Sequence, residues 1–268
     1  MSLTSAADPT EQNKDLVTSA YQALFFDFDR DTVKTKLTED YIQHNPAVPT
    51  GLAPILEVLP ALRESGLTPT VHRILAEDDL VALHVTYENA DFFGAPTLVG
   101  FDIFRVENGK VAEHWDNLQA PPTMTVSGRS MTDGPTEPVD KDMTAANKAV
   151  VEDFVKDVFL AGQLDKAADY ITSEPGAYKQ HNPTVGDGLS ALGAALVAKA
   201  QRGQGYTISK LHMTIAEGNF VLTVSEGKEG ETATAFYDLW RLEAGLIVEH
   251  WDVISEIPSE MAHSNGKF

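Results

Sequence analysis

Residues 101–116 read FDIFRVENGKVAEHWD, and this stretch decides the fold that we predict for the chain. Apolar residues alternate with polar ones on both sides of Asn108-Gly109, which is typical of two antiparallel strands joined by a tight turn. A second stretch of the same kind, FYDLWRLEAGLIVEHWD, occupies residues 236–252 and has Ala244-Gly245 at its turn. Alanine resists the positive φ that a two-residue type I′ turn demands. We therefore predict a three-residue loop closed by glycine in both copies.

The predicted register decides which side chains share a face of the sheet. A three-residue loop places Asp102 opposite His114, and residues that lie opposite each other or two apart on a strand point to the same side. We therefore expect Asp102, His114 and Asp116 to lie together, beside Phe104, on one face of the first hairpin. The equivalent trio of the second hairpin is Asp238, His250 and Asp252. The opposite faces are apolar and carry Phe101, Ile103, Val111 and Trp115 in the first hairpin, and Tyr237, Leu239, Ile247 and Trp251 in the second.

The hairpin belongs to a repeat that runs through the whole chain. Glu-His-Trp-Asp at 113–116 recurs at 249–252, and Gln-His-Asn-Pro at 43–46 recurs at 180–183. Three further matches keep the same order, including Asn13-Lys14 with Asn147-Lys148 and His72 with His212. Because chance would not preserve this order, the sequence indicates a tandem duplication.

The repeat and the composition divide the chain into two domains. We predict a first domain at 12–119, a linker at 120–143 and a second domain at 144–257, because the linker is rich in Pro, Gly, Thr and Ser. The first 11 and the last ten residues are expected to be loose tails. Each domain shows three helical patterns followed by four strand patterns, which predicts an α+β fold with the two copies arranged as a pseudo-twofold pair.

Composition narrows the range of partners. The 268 residues include 40 acidic against 20 basic side chains, a formal charge of −20 that disfavours nucleic acid and anionic membranes. The absence of cysteine excludes disulfides, zinc–thiolate sites and thiol nucleophiles. The N-terminal residues lack the pattern of a signal peptide, and the apolar stretch 189–200 is too short to span a bilayer. We therefore expect a cytoplasmic protein.

The polar trio has two interpretations. Two carboxylates and an imidazole on a half-buried face are costly, so they either form a solvated or salt-bridged surface or serve as an acid–base cluster in a pocket. In the second interpretation Asp102 orients His114 and favours its charged form, and burial raises the pKa of Asp116 to that of a general base. Four further side chains are either structural or part of the same pocket: His44, His84, Tyr41 and Tyr178.

The sequence resembles the SnoaL-like polyketide cyclases of the nuclear-transport-factor-2-like superfamily. The resemblance is carried by YIQHNP at 41–46 and by the stretch 101–116, and it covers most of 13–119 and, more loosely, 147–257. It implies two cone-shaped domains, each with three N-terminal helices packed on a curved antiparallel sheet. It also implies pairing through the convex sheet faces, either within the chain or in a homodimer. In this family a late carboxylate is the general acid and base of an aldol closure, and no metal or cofactor is used.

The resemblance assigns residues by motif position. Asp116 corresponds to the late carboxylate and His44 to an early histidine, whereas Asp102 stands where the cyclases can carry histidine. In the second copy His181, Asp238 and Asp252 keep these positions, but Val224 replaces the strand histidine His84. The second pocket is therefore expected either to bind a different ligand or to be inactive.

We expect a cofactor-independent enzyme that works next to a carbonyl group, in the lyase or isomerase class. Asp116 would remove a proton, while His44 and His84 donate hydrogen bonds to the enolate oxygen. The side chains expected to line the substrate are Tyr41, Phe104 and Tyr178. Two alternatives stay open: a binding protein that uses the same pocket without chemistry, and a metal site built from His44, His114, Asp102 and Asp116.

Overall fold

The computed structural model describes residues 8–268, so the predicted N-terminal tail lies mostly outside the described residues. Two halves follow each other, and each is an α+β unit of helices packed on one five-stranded sheet. The first half contains α1 (Pro9–Phe25), α2 (Arg30–Lys36), β1 (Leu37–Gln43), α3 (Leu52–Ser65), β2 (Thr68–Glu77), β3 (Leu80–Glu88), β4 (Thr97–Glu107) and β5 (Lys110–Gln119). The second half contains α4 (Thr144–Phe154), which continues as a π-helical turn (Val155–Leu160), then α5 (Ala167–Tyr170), β6 (Lys179–Gln180), α6 (Leu189–Gln201), β7 (Tyr206–Glu217), β8 (Phe220–Glu229), β9 (Thr232–Glu243) and β10 (Leu246–Glu256). Among the described residues, the helices are all too short or too polar to cross a membrane.

Both sheets have the same topology, with strand orders β1-β5-β4-β3-β2 and β6-β10-β9-β8-β7. Four strands of each sheet are antiparallel, as predicted, but the first strand pairs in parallel with the last, so the sheets are mixed. The strand β1 was not predicted, because its exposed stretch Glu39-Asp40 interrupts any simple alternation. The strand β6 was not predicted, because it has only two residues. These parallel strands carry Gln43 and Gln180 to the edge of the last strand.

The hairpin turns differ from the prediction. Asn108 and Gly109 have φ values of 50° and 74°, and Ala244 and Gly245 have 49° and 79°, so both turns are of the two-residue type I′. A bulge at Ala112, and another at the equivalent residue of β10, then shifts the pairing by one residue. The predicted three-residue loop is therefore wrong. Asp102, His114 and Asp116 nevertheless share one face, as predicted. The turn and the bulge together shift the pairing by two residues from the predicted register, so Asp102 pairs with Asp116, and every side chain beyond the bulge keeps its predicted face.

The apolar residues form three clusters that follow from this geometry. One lies under the helices of each half, and the third lies between the two sheets. The contact between the sheets includes six residues that we predicted for it: Phe101, Ile103, Trp115, Tyr237, Leu239 and Trp251. Val111 and Ile247 were predicted there as well, but they pack under the helices because they precede the bulges.

The segments that follow the two sheets are held by contacts with both halves of the chain. The C-terminal segment, defined as residues 257–268, packs against the first half and buries Lys267, so the predicted loose C-terminal tail is wrong. The predicted linker buries Met131 in the cluster between the sheets, which its composition did not indicate. Arg73 of β2 fixes the linker by donating to the main-chain oxygens of Thr132, Asp133 and Pro135.

Candidate active site

Each half has a small cavity between its helices and the concave face of its sheet. The first has a volume of about 50 Å³ and contains the predicted trio Asp102, His114 and Asp116. The second has a volume of about 60 Å³ and contains the trio Asp238, His250 and Asp252. Most other residues that line the cavities are apolar, so the polar groups are concentrated on one wall.

Hydrogen bonds fix the imidazole of His114 from both sides. Gln43 Oε1 accepts from the backbone N–H groups of His44 and Asn45, which identifies it as the amide oxygen. His114 Nδ1 lies 2.9 Å from this oxygen and must therefore donate to it. Its Nε2 lies 3.1 Å from Asp102 Oδ1, so the ring and the carboxylate share a proton.

The buried carboxyl group of Asp102 is supported by a second donor. Tyr87 Oη donates to Asp102 Oδ2 at 2.7 Å and accepts in turn from Tyr21. Burial raises the pKa of Asp102, while the hydrogen bond and the charge of His114 oppose this effect. The ring of Phe104 stacks on His114 at 4.6 Å, so the imidazole is held in one orientation.

Only one carboxyl oxygen of Asp116 accepts a hydrogen bond from a described side chain. Its Oδ2 accepts from Asn45 Nδ2 at 2.5 Å, whereas its Oδ1 is buried and has no hydrogen-bond partner among the described residues. The ammonium group of Lys267 lies 3.5 Å from Oδ1, at the distance of an ion pair. A buried carboxylate oxygen without a donor is rare in proteins and points to a function.

The second cavity repeats this arrangement. His250 lies between Gln180 Oε1 at 2.9 Å and Asp238 Oδ1 at 3.0 Å. Asp252 Oδ2 accepts from Asn182 Nδ2 at 2.6 Å, and its Oδ1 is again buried without a partner among residues 8–268. Burial raises the pKa of Asp252 to about 6, against the opposing effect of the charge on His250.

Tyrosine hydroxyl groups complete the polar part of both cavities. Tyr41 lines the first cavity, and Tyr178 and Tyr206 line the second. Burial raises the pKa of all three, so they remain neutral hydrogen-bond donors. Tyr178 Oη accepts from Gln180 Nε2 at 3.2 Å, which leaves its own proton free to be donated.

Three predicted site residues lie elsewhere. His44 stacks on Trp115 at 4.9 Å and His181 on Trp251 at 4.5 Å, both on the face of the sheet that points away from the cavity. Their ring nitrogens face oxygen atoms of Glu113 and Glu249 and of the crossing main chain. Neither histidine lines either of these two cavities, so their assignment as pocket residues is wrong.

His84 is also outside the cavity. It stacks on Phe101 between the sheets, and its Nδ1 accepts from Arg73 at 2.9 Å. Burial, together with the charge of Arg73, keeps its pKa well below the usual value. The predicted hydrogen bonds from His44 and His84 to an enolate oxygen are therefore incompatible with this geometry.

The residues that position the trio were not predicted from the sequence. Gln43 and Asn45 flank His44 in the repeated Gln-His-Asn-Pro motif, and Gln180 and Asn182 flank His181. The signal was present, since the whole tetrapeptide recurs and not only its histidine. At the end of β1, Gln43 and Asn45 line the cavity, while His44 between them points to the opposite face of the sheet.

The two trios could hold a metal ion on distance alone. In each, one ligand atom from every member lies within 4.8 Å of the others. However, both nitrogens of each imidazole already have a partner, an amide oxygen at Nδ1 and a carboxylate at Nε2. A metal would have to break the second of these bonds, so the arrangement fits a proton-sharing cluster better than a metal centre.

Comparisons with known proteins agree with this architecture. A family model described as a SnoaL-like domain matches residues 17–114. Among curated proteins, none is significantly similar to the chain.

Several solved structures are similar to one half of the chain. An NTF2-like protein of unknown function from Mesorhizobium loti is 15% identical and covers 43% of this chain and 98% of its own, with a TM-score of 0.37. IdmH from Streptomyces antibioticus, described as "a putative polyketide cyclase", is 21% identical over 40% of this chain and 92% of its own, with a TM-score of 0.34. A LEH-like epoxide hydrolase from M. tuberculosis is 20% identical and covers 42% of this chain and 86% of its own, with a TM-score of 0.34. The SnoaL-like family model thus matches most of the first half of this chain, and the second half repeats the strand order of the first.

Proposed function

We propose that this chain is a small-molecule enzyme that moves a proton next to a carbonyl group, with Asp116 or Asp252 as the general base. The observation that carries this proposal is the Oδ1 atom of both residues, which is buried beside a largely apolar cavity and accepts no hydrogen bond, while Oδ2 is held by an asparagine. A base needs a carboxylate oxygen that does not already accept a hydrogen bond from the protein. The same arrangement in two copies of the fold supports this role in both.

The chemical step follows from this geometry. The carboxylate Oδ1 takes a proton from the carbon next to the carbonyl, and the C–H electron pair forms the carbon–carbon double bond of an enolate. The carbonyl oxygen gains the negative charge and accepts a hydrogen bond from Tyr41 in the first cavity, or from Tyr178 or Tyr206 in the second. Return of the proton to another carbon gives an isomer. Attack of the enolate carbon on a second carbonyl of the same molecule forms the carbon–carbon bond of a ring, and the resulting alkoxide takes the proton back from the aspartic acid. Where the substrate carries a hydroxyl group on the β-carbon, that group leaves with the same proton as water and gives a dehydrated product.

Cavity size and lining limit the substrate. Cavities of about 50 and 60 Å³ admit only a small apolar group in this conformation, well below the roughly 300 Å³ of a typical ligand pocket. A polyketide-like substrate therefore needs the helix over the cavity to move outward. In the second half this helix, α6, has no fully buried residue, whereas α3 in the first half buries four: Ile55, Leu56, Leu59 and Leu62.

Proton exchange tests the proposal without knowledge of the natural substrate. We would incubate the protein in D₂O with cyclopentanone, cyclohexanone and 2-decalone and follow the loss of the α-proton signal by NMR. We expect catalysed exchange of at least one ketone. The double variant Asp116→Asn/Asp252→Asn should reduce it by about 100-fold or more, because general base catalysis contributes 10²–10⁴-fold. Each single variant shows which cavity is active.

A matched control separates this effect from a general loss of charge. Glu231→Gln removes a fully exposed carboxylate outside both cavities and should leave the exchange rate unchanged. Exchange that persists in the double variant would contradict the proposed base. Ketones that bind in saturation-transfer experiments but never exchange would instead support the alternative of a binding protein without chemistry.

A further inference from the structure

The C-terminal segment, residues 257–268, leaves the second half and contacts the Asn-Pro turn of the first half. Ala262 N donates to Pro46 O at 2.8 Å, and Gly266 O accepts from His44 Nδ1 at 2.9 Å. The C-terminal segment therefore packs against the turn that follows β1 of the first half.

The linker makes the same crossing in the opposite direction. Val126 N donates to Pro183 O at 3.0 Å, and Ser130 O accepts from His181 Nδ1 at 2.7 Å. Residues 126 and 262 differ by 136 positions, and so do residues 130 and 266. The two crossing segments are therefore equivalent residue for residue, and this offset pairs residue 131 with residue 267.

The two equivalent positions carry different chemistry. Residue 267 is a lysine that is only 6% exposed, and its Nζ lies 2.6 Å from the main-chain oxygen of Asp116 and 3.5 Å from Asp116 Oδ1. Residue 131 is a methionine, 3% exposed, which joins the apolar cluster between the sheets. A buried ammonium group is costly unless a carboxylate compensates it, so its placement beside Asp116 requires an explanation.

We propose that Lys267 is a positioning residue that fixes the carboxyl group of Asp116 in place, and that the two cavities have thereby diverged in their proton chemistry. A buried ammonium group lies beside Asp116. At the equivalent position of the second half stands Met131, and there Asp252 exchanges its proton with solvent or substrate. The catalytic meaning of this difference rests on the proposed function, but the coupling of Lys267 to Asp116 does not.

The remaining charged and titratable groups are similar in the two cavities. Those that face Asp116 are Asp102, His114, Tyr41, Tyr237 and Lys267. Those that face Asp252 are Asp238, His250, Tyr178, Tyr206 and, more weakly, Lys199 of α6. The cation in direct contact is thus the main difference between the two sets. A methionine in place of this lysine in the second half is consistent with the pKa of Asp252, which burial raises to about 6.

Lysine NMR tests the coupling without any turnover. In protein labelled with [¹³Cε]lysine, the Lys267 signal is identified by its loss in Lys267→Met, which copies the native Met131. Burial lowers the pKa of Lys267, and the charge of Asp116 opposes this effect. Asp116→Asn should therefore lower the Lys267 titration midpoint further, by at least one pH unit. The matched control Asp252→Asn should leave it unchanged.

Placing a lysine at residue 131 tests whether this position determines how the two cavities differ in proton chemistry. Met131→Lys should lower the titration midpoint of Asp252, followed by [¹³Cγ]aspartate NMR, by about one pH unit, a tenfold change in proton affinity. An Asp252 midpoint that does not move in folded Met131→Lys would overturn the claim of divergence. A Lys267 midpoint unaffected by Asp116→Asn would overturn the proposal as a whole. This second result stands even if Met131→Lys does not fold, and neither result depends on the ketone assay.

Discussion

Asp252 combines the two conditions that make a carboxyl group useful near neutral pH. It is buried among apolar side chains, and only one of its oxygens accepts a hydrogen bond from the protein. Burial raises its pKa to about 6, and Asp238 adds to this, while His250 and Asn182 act in the opposite direction. The group can therefore both accept and release a proton close to pH 6.

This raised pKa predicts a pH-dependent loss of stability. The folded pKa of about 6 exceeds the ordinary value of 3.8, so between these values the folded state binds more protons than the unfolded state. The free energy of unfolding then falls as the pH rises through this window, by about 3 kcal/mol for this one group. Urea unfolding at pH 4 and pH 7 measures the change. From pH 4 to pH 7, the free energy of unfolding of Asp252→Asn should rise by about 3 kcal/mol relative to that of the wild type.

An exposed carboxylate provides the control for this prediction. Asp31→Asn changes a residue whose side chain is 95% exposed, and it should follow the wild-type pH dependence. If Asp252→Asn also follows the wild type, Asp252 is ionised in the folded protein at pH 4 and cannot be the proton-exchanging group.

At the scale of elements, the alternation of residues in the hairpins predicts the faces of the sheet more reliably than the exact register. The face shared by Asp102, His114 and Asp116 was predicted, and it is found, although the turn that we assumed is not. The reason is parity: a type I′ turn plus one bulge differs from the predicted loop by two residues, and a shift of two leaves the same side chains on the same face. The register error therefore changed only the residues before the bulge, Val111 and Ile247.

Ala244 in the type I′ turn of β9 and β10 predicts a stabilising substitution. Its φ of 49° lies in the left-handed region, which costs a non-glycine residue about 1–2 kcal/mol. Ala244→Gly removes this cost and should raise the free energy of unfolding by about 1 kcal/mol, after allowance for the flexibility of glycine. Urea unfolding at constant pH measures it.

The same strand offers the matched control. Ala233 in β9 is exposed but has ordinary strand conformation, so Ala233→Gly should lower the stability. Equal destabilisation by Ala233→Gly and Ala244→Gly would show that the turn is not strained at Ala244.

Contacts between distant segments limited the prediction of the site. The repeat, the helices and eight of the ten strands follow from local patterns. The assignment of His44 failed because a parallel strand of the sheet, with no clear alternation, decides which of Gln43, His44 and Asn45 faces the cavity. Lys267 could not be found at all, because its contact with Asp116 joins residues 151 positions apart and arises only when the two halves pack.

At the scale of the whole molecule, the pairing of the halves is reciprocal. Glu217 of β7 accepts from the backbone N–H of Ala76, and Glu77 of β2 accepts from that of Ala216. Each glutamate also forms an ion pair with a lysine from the first helix of the other half: Glu217 with Lys14 of α1, and Glu77 with Lys148 of α4. Such exchange of equivalent contacts is the geometry of an isologous dimer, here made within one chain.

Glu217 carries the better-buried copy of this contact and predicts a pH-dependent interface. Burial raises the pKa of its carboxyl, but hydrogen bonds from Lys14 at 2.8 Å and from Lys141 outweigh this and lower it below 4.5. The folded state therefore binds fewer protons than the unfolded state, and the stability from this group is present above pH 4.5 and is lost as the pH falls. Glu217→Gln should cost about 2 kcal/mol of unfolding free energy at pH 7 and much less at pH 3.

Two further variants decide whether burial at the interface is the cause. Glu77→Gln changes the reciprocal contact, where the side chain is 24% exposed against 9% for Glu217, so its cost at pH 7 should be smaller. Glu231→Gln, fully exposed on the second half, should cost nothing measurable. Urea unfolding of all three at pH 7 and pH 3 gives the comparison. If Glu217→Gln costs the same at both pH values, its carboxylate charge does not hold the halves together, and the apolar cluster between the sheets must do so alone.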